Sequence, residues 1–191
     1  MDNLTIRLAT VDDAPAIGSL ILGLLPYLTV HPQGLGAEKF IANIGIDAQR
    51  RYLGQDNFRY HVALRGGELV GVVAVRDNTH LFHLFIKEAQ HGKGLGRRLW
   101  ELARDDAMAR GNPGRFTVNS AGRATGLYLR LGFEPAGEPI EHDGIVDVPM
   151  RWEETGVQED ALRDAISRRS SRCGRVMAEA GGPRRTQPAR A

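Results

Sequence analysis

Apolar and polar positions alternate in Leu4-Thr5-Ile6-Arg7-Leu8, which predicts a first strand. Thr10-Val11-Asp12-Asp13 then gives a capped helix start with acids in the first turn, and the helix runs toward Pro26. Between Tyr27 and Gly36 the proline and glycines force a loop, and a second helix is expected from Ala37 to about Leu53 with Phe40, Ile41, Ile44 and Ala48 facing inward. A meander follows. Phe58–Leu64 and Leu69–Val75 are β-branched and aromatic runs joined by Arg65-Gly66-Gly67-Glu68, a hairpin signal, and Arg76-Asp77-Asn78-Thr79 turns the chain into a third strand, His80–Ile86. From Leu95 the period changes to that of a helix, with Leu95, Leu99 and Leu102 on one face, and it stops at Gly111-Asn112-Pro113-Gly114. Phe116–Ser120 is a short strand lying parallel to His80–Ile86, because a helix intervenes. A short helix Arg123–Leu131, strands near Phe133–Glu138 and Ile145–Trp152, and a turn at His142-Asp143-Gly144 complete the pattern.

The chemistry concentrates where the third strand hands over to the long helix, in Gln90-His91-Gly92-Lys93-Gly94-Leu95-Gly96-Arg97. Glycines there permit positive φ and close approach of a ligand to bare main chain, and free N–H groups at a helix start attract anions. A mononucleotide P-loop would need Ser or Thr after Lys93, where Gly94 stands. A dinucleotide fingerprint would need glycine at Arg97 and a carboxylate near Phe116, and neither is present. What remains open from the residues alone is a cradle for another phosphate ligand or a plain glycine-rich turn.

Two signatures in order narrow the choice. His91-Gly92-Lys93-Gly94-Leu95-Gly96 resembles the pyrophosphate loop of the GCN5-related N-acetyltransferases, Gln/Arg-x-x-Gly-x-Gly/Ala, with His91 departing from the pattern at its first position. Val118-Asn119-Ser120, Ala124, Tyr128 and Gly132-Phe133 resemble the same family's second signature. The resemblance covers most of residues 4 to 152. It implies an α/β (α+β) fold: a mixed central sheet of six to seven strands, an antiparallel N-terminal meander, a splayed central parallel pair and flanking helices. It implies acetyl-CoA as cosubstrate, bound by the main chain of Leu84, Phe85 and Ile86 and by His91, Gly92, Lys93, Gly94, Leu95, Gly96 and Arg97, with Asn119 near the pantetheine arm. Tyr128 would lie beside the sulfur and supply a proton to the departing thiolate. The acceptor amine would be met by residues between the first two helices, among them Tyr27, His31 and Phe40. Many family members place Glu where Phe82 stands, so a base must come from elsewhere. His80, on the strand face of Phe82 and Leu84, and His83, expected to point the other way, are the two imidazoles in reach.

Composition alters this picture little. Charge does more, because its distribution bears on nucleic acid. Residues 154–191 hold eight arginines against five acids, a net of +3 in a chain whose total is +2, so residues 1–153 carry −1 and have no basic footprint. We therefore expect a catalytic domain over residues 1–153 and an extension over 154–191, a short helix around Val157–Ile166 and then a basic disordered tail. One cysteine, Cys173, and histidines without ligand spacing point to no metal and to a reducing, cytoplasmic setting, and Ile17–Leu28 is too short and interrupted to span a membrane. The expected partners are acetyl-CoA and a small-molecule or peptide amine, with neither nucleic acid nor membrane and with a homodimer possible. The expected activity is acyl-CoA-dependent N-acetyl transfer by direct attack of a primary amine. The alternative is a CoA-binding domain without turnover, motivated by His91 and by Phe82 in place of Glu.

Overall fold

In a computed structural model, residues 4–154 are described; the extension's expected helix and tail lie outside them. Strands β1 (Leu4–Leu8), β2 (Phe58–Arg65), β3 (Glu68–Arg76) and β4 (His80–Ile86) form an antiparallel meander. β5 (Arg115–Ala121) joins β4 in parallel, and β8 (Ile145–Glu153) pairs antiparallel with β5. Two short strands, β6 (Glu134–Pro135) and β7 (Ile140–His142), pair with β8 in succession. The sheet thus has eight strands, in the order β1-β2-β3-β4-β5-β8-β6 with β7 also on β8. The segment expected to be one strand from Phe133 is interrupted, since Pro135 and Gly137 sit where a continuous ladder would need donors and side chains.

Helix α5 (Leu95–Ala109) covers one face, burying Leu95, Leu99, Trp100, Ala103 and Ala107 against Leu81, Leu84, Ile86, Phe116 and Phe133. The other face of β2 and β3 is covered by α1 (Ala14–Gly23), with a second cluster of Ile17, Ile21, Ile44, Tyr60, Val62 and Val72. Where one helix was expected toward Pro26, the chain makes a 3-10 turn at Val11–Asp13, then α1, then a separate short helix α2 (Leu25–Leu28) that includes Tyr27. The helix expected over Ala37–Leu53 is likewise two, α3 (Glu38–Ile44) and α4 (Ile46–Leu53). Gly45 between them is extended, at φ −69° and ψ 174°, and serves as N-cap of α4. The break turns α4 so that Ala48 and Gln49 are buried against α1 and β2. A last short helix, α6 (Thr125–Arg130), follows β5 and buries Tyr128.

Two departures from regular pairing lie on β4. The ladder between β4 and β5 contains one pair, His80 with Thr117, sealed by Thr117 N–H donating to Thr79 O at 3.0 Å. From Leu81 to Ile86 the β5 side of β4 has no ladder partner. The second departure is a bulge: Ala74 pairs with His83 but Val75 pairs with Leu81, leaving Phe82 as the extra residue. The bulge reverses the alternation beyond it. His83 therefore shares a face with Phe82, the rings stacked 4.2 Å apart, while Leu84 joins the core under α5. This corrects the faces expected from strict alternation, which puts Leu84 with Phe82 and His83 opposite them.

Candidate active site

A cavity of about 910 Å³ runs along the gap between β4 and β5, from the start of α5 to the inner faces of α2 and α3. At one end stands the glycine loop. Gly92 and Gly94 have φ of +72° and +78°, and a Cβ at either would meet nothing within 4 Å, so the loop is bare on its open side. Gly94 is the N-cap of α5 and has no side-chain cap. None of the N–H groups from Gly92 to Arg97 donates a hydrogen bond to a described residue; the first helical bond is Arg98 N–H to Gly94 O, at 3.1 Å. Six successive free donors at the positive end of a fifteen-residue helix form an anion cradle. Gly92, Gly94, Leu95, Gly96 and Arg97 line the cavity, whereas Lys93 is outside its lining.

His91, which breaks the family pattern, turns back into the loop's base. Its Nε2–H donates to Ile86 O at 2.8 Å, tying the loop to the end of β4. Arg97 similarly bridges α5 to the end of α6 through Arg130 O, at 2.7 Å. Farther along, Lys87 N–H bonds Val70 O at 2.9 Å, which makes these two a bonded antiparallel pair. Alternation then turns the main-chain groups of Ile86 and Leu84 toward β5 and those of Phe85 toward β3. Of the three β4 residues singled out in the sequence, Leu84 and Ile86 offer main chain to the gap, and Phe85 offers its side chain to the opposite face. Asn119 lies across the gap on β5 and lines the cavity.

Tyr128 lines the cavity from α6 and packs edge-on against Phe133, with centroids 5.5 Å apart. Its hydroxyl has no hydrogen-bond partner among the described residues. Burial pushes the phenol pKa well up, because the phenolate would be desolvated. His80 and His83 both line the cavity too. His80 holds Thr117 Oγ1 at 2.8 Å through Nδ1, and burial, with the nearby Arg76 cation, lowers its pKa below the ordinary imidazole value. His83 is enclosed by Phe82, Tyr60, Tyr52 and Phe85, and burial lowers its pKa to about 3. It is neutral at any physiological pH.

On the side of α2 and α3, Tyr27 and Phe40 line the cavity, while His31 lies outside it with its ring turned to Gln33. Tyr27 Oη donates to Glu88 Oε1 at 2.7 Å, joining α2 to the loop after β4. Tyr52, Arg76, Arg123 and Asp147 also line the cavity, although no sequence motif singled them out. Tyr52 and Arg76 come from a helix end and a strand end adjoining β4. Asp147 arrives through the β5–β8 pairing, a contact that local pattern does not signal. Among the described residues no group of three or more His, Cys, Asp or Glu is placed to hold a metal ion, and no helix is long and apolar enough to cross a membrane.

The architecture has clear relatives among solved structures. A GCN5-related N-acetyltransferase from Rhodopseudomonas palustris, described also as a class-II aminotransferase, superposes with a TM-score of 0.68 at 17% identity, over 81% of this chain and 98% of that one. The PaiA N-acetyltransferase of Thermoplasma acidophilum, solved with coenzyme A, gives a TM-score of 0.65 at 14% identity, over 80% and 99%. A spermidine N-acetyltransferase SpeG chimera from Vibrio cholerae and hSSAT gives 0.58 at 20% identity, over 78% and 95%. At such identities these likenesses establish the fold. No curated protein matches the sequence. The model of the acetyltransferase (GNAT) domain matches residues 28–154, a span that includes the cradle, the open gap and Tyr128, and the chain belongs to the GNAT acetyltransferase family.

Proposed function

We propose that the protein is an N-acetyltransferase that moves the acetyl group of acetyl-CoA to a primary amine of a small molecule or a protein. The observation that carries this reading is the run of unpaired N–H groups from Gly92 to Arg97, whose residues other than Lys93 line the same cavity as the unpaired edge of β4. The cradle fits a diphosphate, and the free main chain of Leu84 and Ile86 fits an amide-bearing arm that adds to β4 as a strand would. Acetyl-CoA, when bound, supplies the acetyl thioester. Leu84 N–H, turned into the gap one bonded position farther from the cradle than Ile86, is the donor we assign to the thioester carbonyl.

An amine like that of lysine is protonated at neutral pH, with a pKa near 10.4, and must lose a proton before attack. Of the two strand histidines we assign this to His80, acting through cavity water. For His83, whose pKa is about 3, holding a proton would be far too uphill. Tyr128 keeps its own proton firmly, so it stabilises the departing thiolate chiefly by donating a hydrogen bond to it. The spermidine acetyltransferase among the structural relatives is consistent with a small-molecule amine as acceptor. The test is a panel of amines and peptides with acetyl-CoA, read by free thiol release. Transfer to at least one amine supports the reading. Tight acetyl-CoA binding without transfer to any of them would instead establish a binding domain without turnover.

A further inference from the structure

His83 takes part in a buried hydrogen-bond chain whose direction is fixed from its far end. Gln49 Nε2 lies 3.1 Å from Ile44 O. A carbonyl only accepts, so the amide nitrogen must be at that end and Oε1 at the other. Gln49 Oε1 lies 3.3 Å from Tyr60 Oη, and an amide oxygen also only accepts, so the tyrosine O–H must donate to it. Tyr60 has then spent its one proton. Its oxygen, 3.2 Å from His83 Nδ1, is left to accept, and Nδ1 must carry the imidazole proton.

The consequence falls on the ring's other nitrogen. With Nδ1 protonated and the ring neutral, Nε2 holds a lone pair. It bonds no described residue, and His83 lines the cavity, to which we assign this nitrogen. We propose that the Ile44–Gln49–Tyr60 chain locks His83 in the Nδ1–H tautomer, so that Nε2 stands in the cavity as a fixed acceptor that orients an N–H of the incoming amine. Its role in transfer rests on the function proposed above; the tautomer does not. His83 takes no proton in this scheme. It accepts one hydrogen bond and aims the amine lone pair, while Gln49 and Tyr60 are positioning residues that act through it. A polar side chain on a buried helix face is costly unless every donor and acceptor is used, and here each link is used in one sense only.

The tautomer is read from long-range proton–nitrogen spectra of the full chain labelled with nitrogen-15 histidine, without ligand. The wild type is expected to show a protonated Nδ1 and a pyridine-like Nε2 at His83. Gln49→Met keeps the volume but removes the acceptor that holds the tyrosine proton, so Tyr60 turns its O–H to Nδ1 and the ring proton moves to Nε2. Nε2 then offers the cavity a donor. In this variant kcat/KM for the best amine of the panel falls about tenfold, the worth of one hydrogen bond, while the KM for acetyl-CoA stays unchanged. Gln49→Glu, whose protonated carboxyl can donate to Ile44 O and accept from Tyr60, restores the wild-type spectrum. A protonated Nε2 in the wild type, or no change of tautomer in Gln49→Met, would overturn the proposal; should Gln49→Met fail to fold, the wild-type spectrum still decides. Failure of transfer to every amine would overturn the reaction assigned here and leave the spectroscopic result to be judged separately.

Discussion

At Tyr128 and His83, the burial that stabilises the fold also sets the protonation state of groups facing the cavity. Tyr128 is 6% exposed, and desolvation raises its pKa, so the donor is loaded at every working pH. Tyr128→Phe removes only the hydroxyl and leaves the ring on Phe133. We expect kcat to fall about a hundredfold, near the lower end of general acid catalysis, with the acetyl-CoA Kd unchanged by calorimetry. An unaltered kcat would remove Tyr128 from the chemistry. His83 gives a stability prediction whose sign is fixed. Its folded pKa, about 3, lies below the ordinary imidazole value of 6.5, so between these values the unfolded chain binds a proton that the native chain refuses. The stabilisation is therefore complete above about pH 6.5 and is lost as pH falls toward 3. Melting temperature should drop on acidification through this window, and the drop should be shallower in His83→Leu. His61, also buried with a lowered pKa, contributes in the same direction, so some slope persists in that variant.

Among the elements, the strand-to-helix corner was the most legible in the sequence, because glycine spacing and the change from period two to the helical period are local signals. The positive φ at Gly92 and Gly94 is the conformation those glycines announce. Gly94→Ala should cost about 1 kcal/mol through backbone strain alone, since nothing lies within 4 Å of the added Cβ. Acetyl-CoA binding should weaken several-fold more than stability falls, because the strain turns the cradle's N–H groups away; equal affinity would show that the loop is not the anchor. The bulge at Phe82 was not legible. A one-residue insertion changes which side chains face the cavity, and it is imposed by the partner strand's register, so His83 and Leu84 could not be assigned to faces from alternation. Gly45 and the split of α3 from α4 were equally hidden, since a lone glycine within an amphipathic pattern leaves continuation and break both open. Gln49 did carry a signal: a polar residue beside Ala48 on an inward face calls for a buried partner.

The turn at His142-Asp143-Gly144 was expected, but its long-range contact was not. Gly144 O accepts from Val30 N–H at 2.9 Å, and a Cβ at Gly144 would lie 2.6 Å from Gly36 C and 2.8 Å from Ala37 N. This is backbone packed on backbone, and it holds the β7–β8 hairpin on the loop before α3, beside Ile145 and Asp147, which line the cavity. Gly144→Ala should lower stability by about 2 kcal/mol in denaturant unfolding and raise the KM for the acceptor while sparing that for acetyl-CoA. A raised KM for acetyl-CoA alone would contradict this placement.

At the scale of the whole molecule, two apolar clusters grip opposite faces of one sheet, and the site lies where the sheet is left unfinished. α5 pins β3 and β4 from one side, α1 and α4 hold β2 and β3 from the other, and β5 is kept in place by its full ladder with β8. The gap between β4 and β5 is therefore bordered by ladders on both its outer sides. Charge does not define the described domain as a binder of nucleic acid, since the excess of arginine lies beyond residue 153. The measurement that bears most directly on the proposed site is a crystal structure with coenzyme A bound. The diphosphate is expected on the N–H groups of Gly92 to Arg97 and the pantetheine arm on the main chain of Leu84 and Ile86, with its sulfur near the Tyr128 hydroxyl. A diphosphate seated away from that loop, or a β4–β5 gap closed by side chains with the cofactor elsewhere, would contradict it.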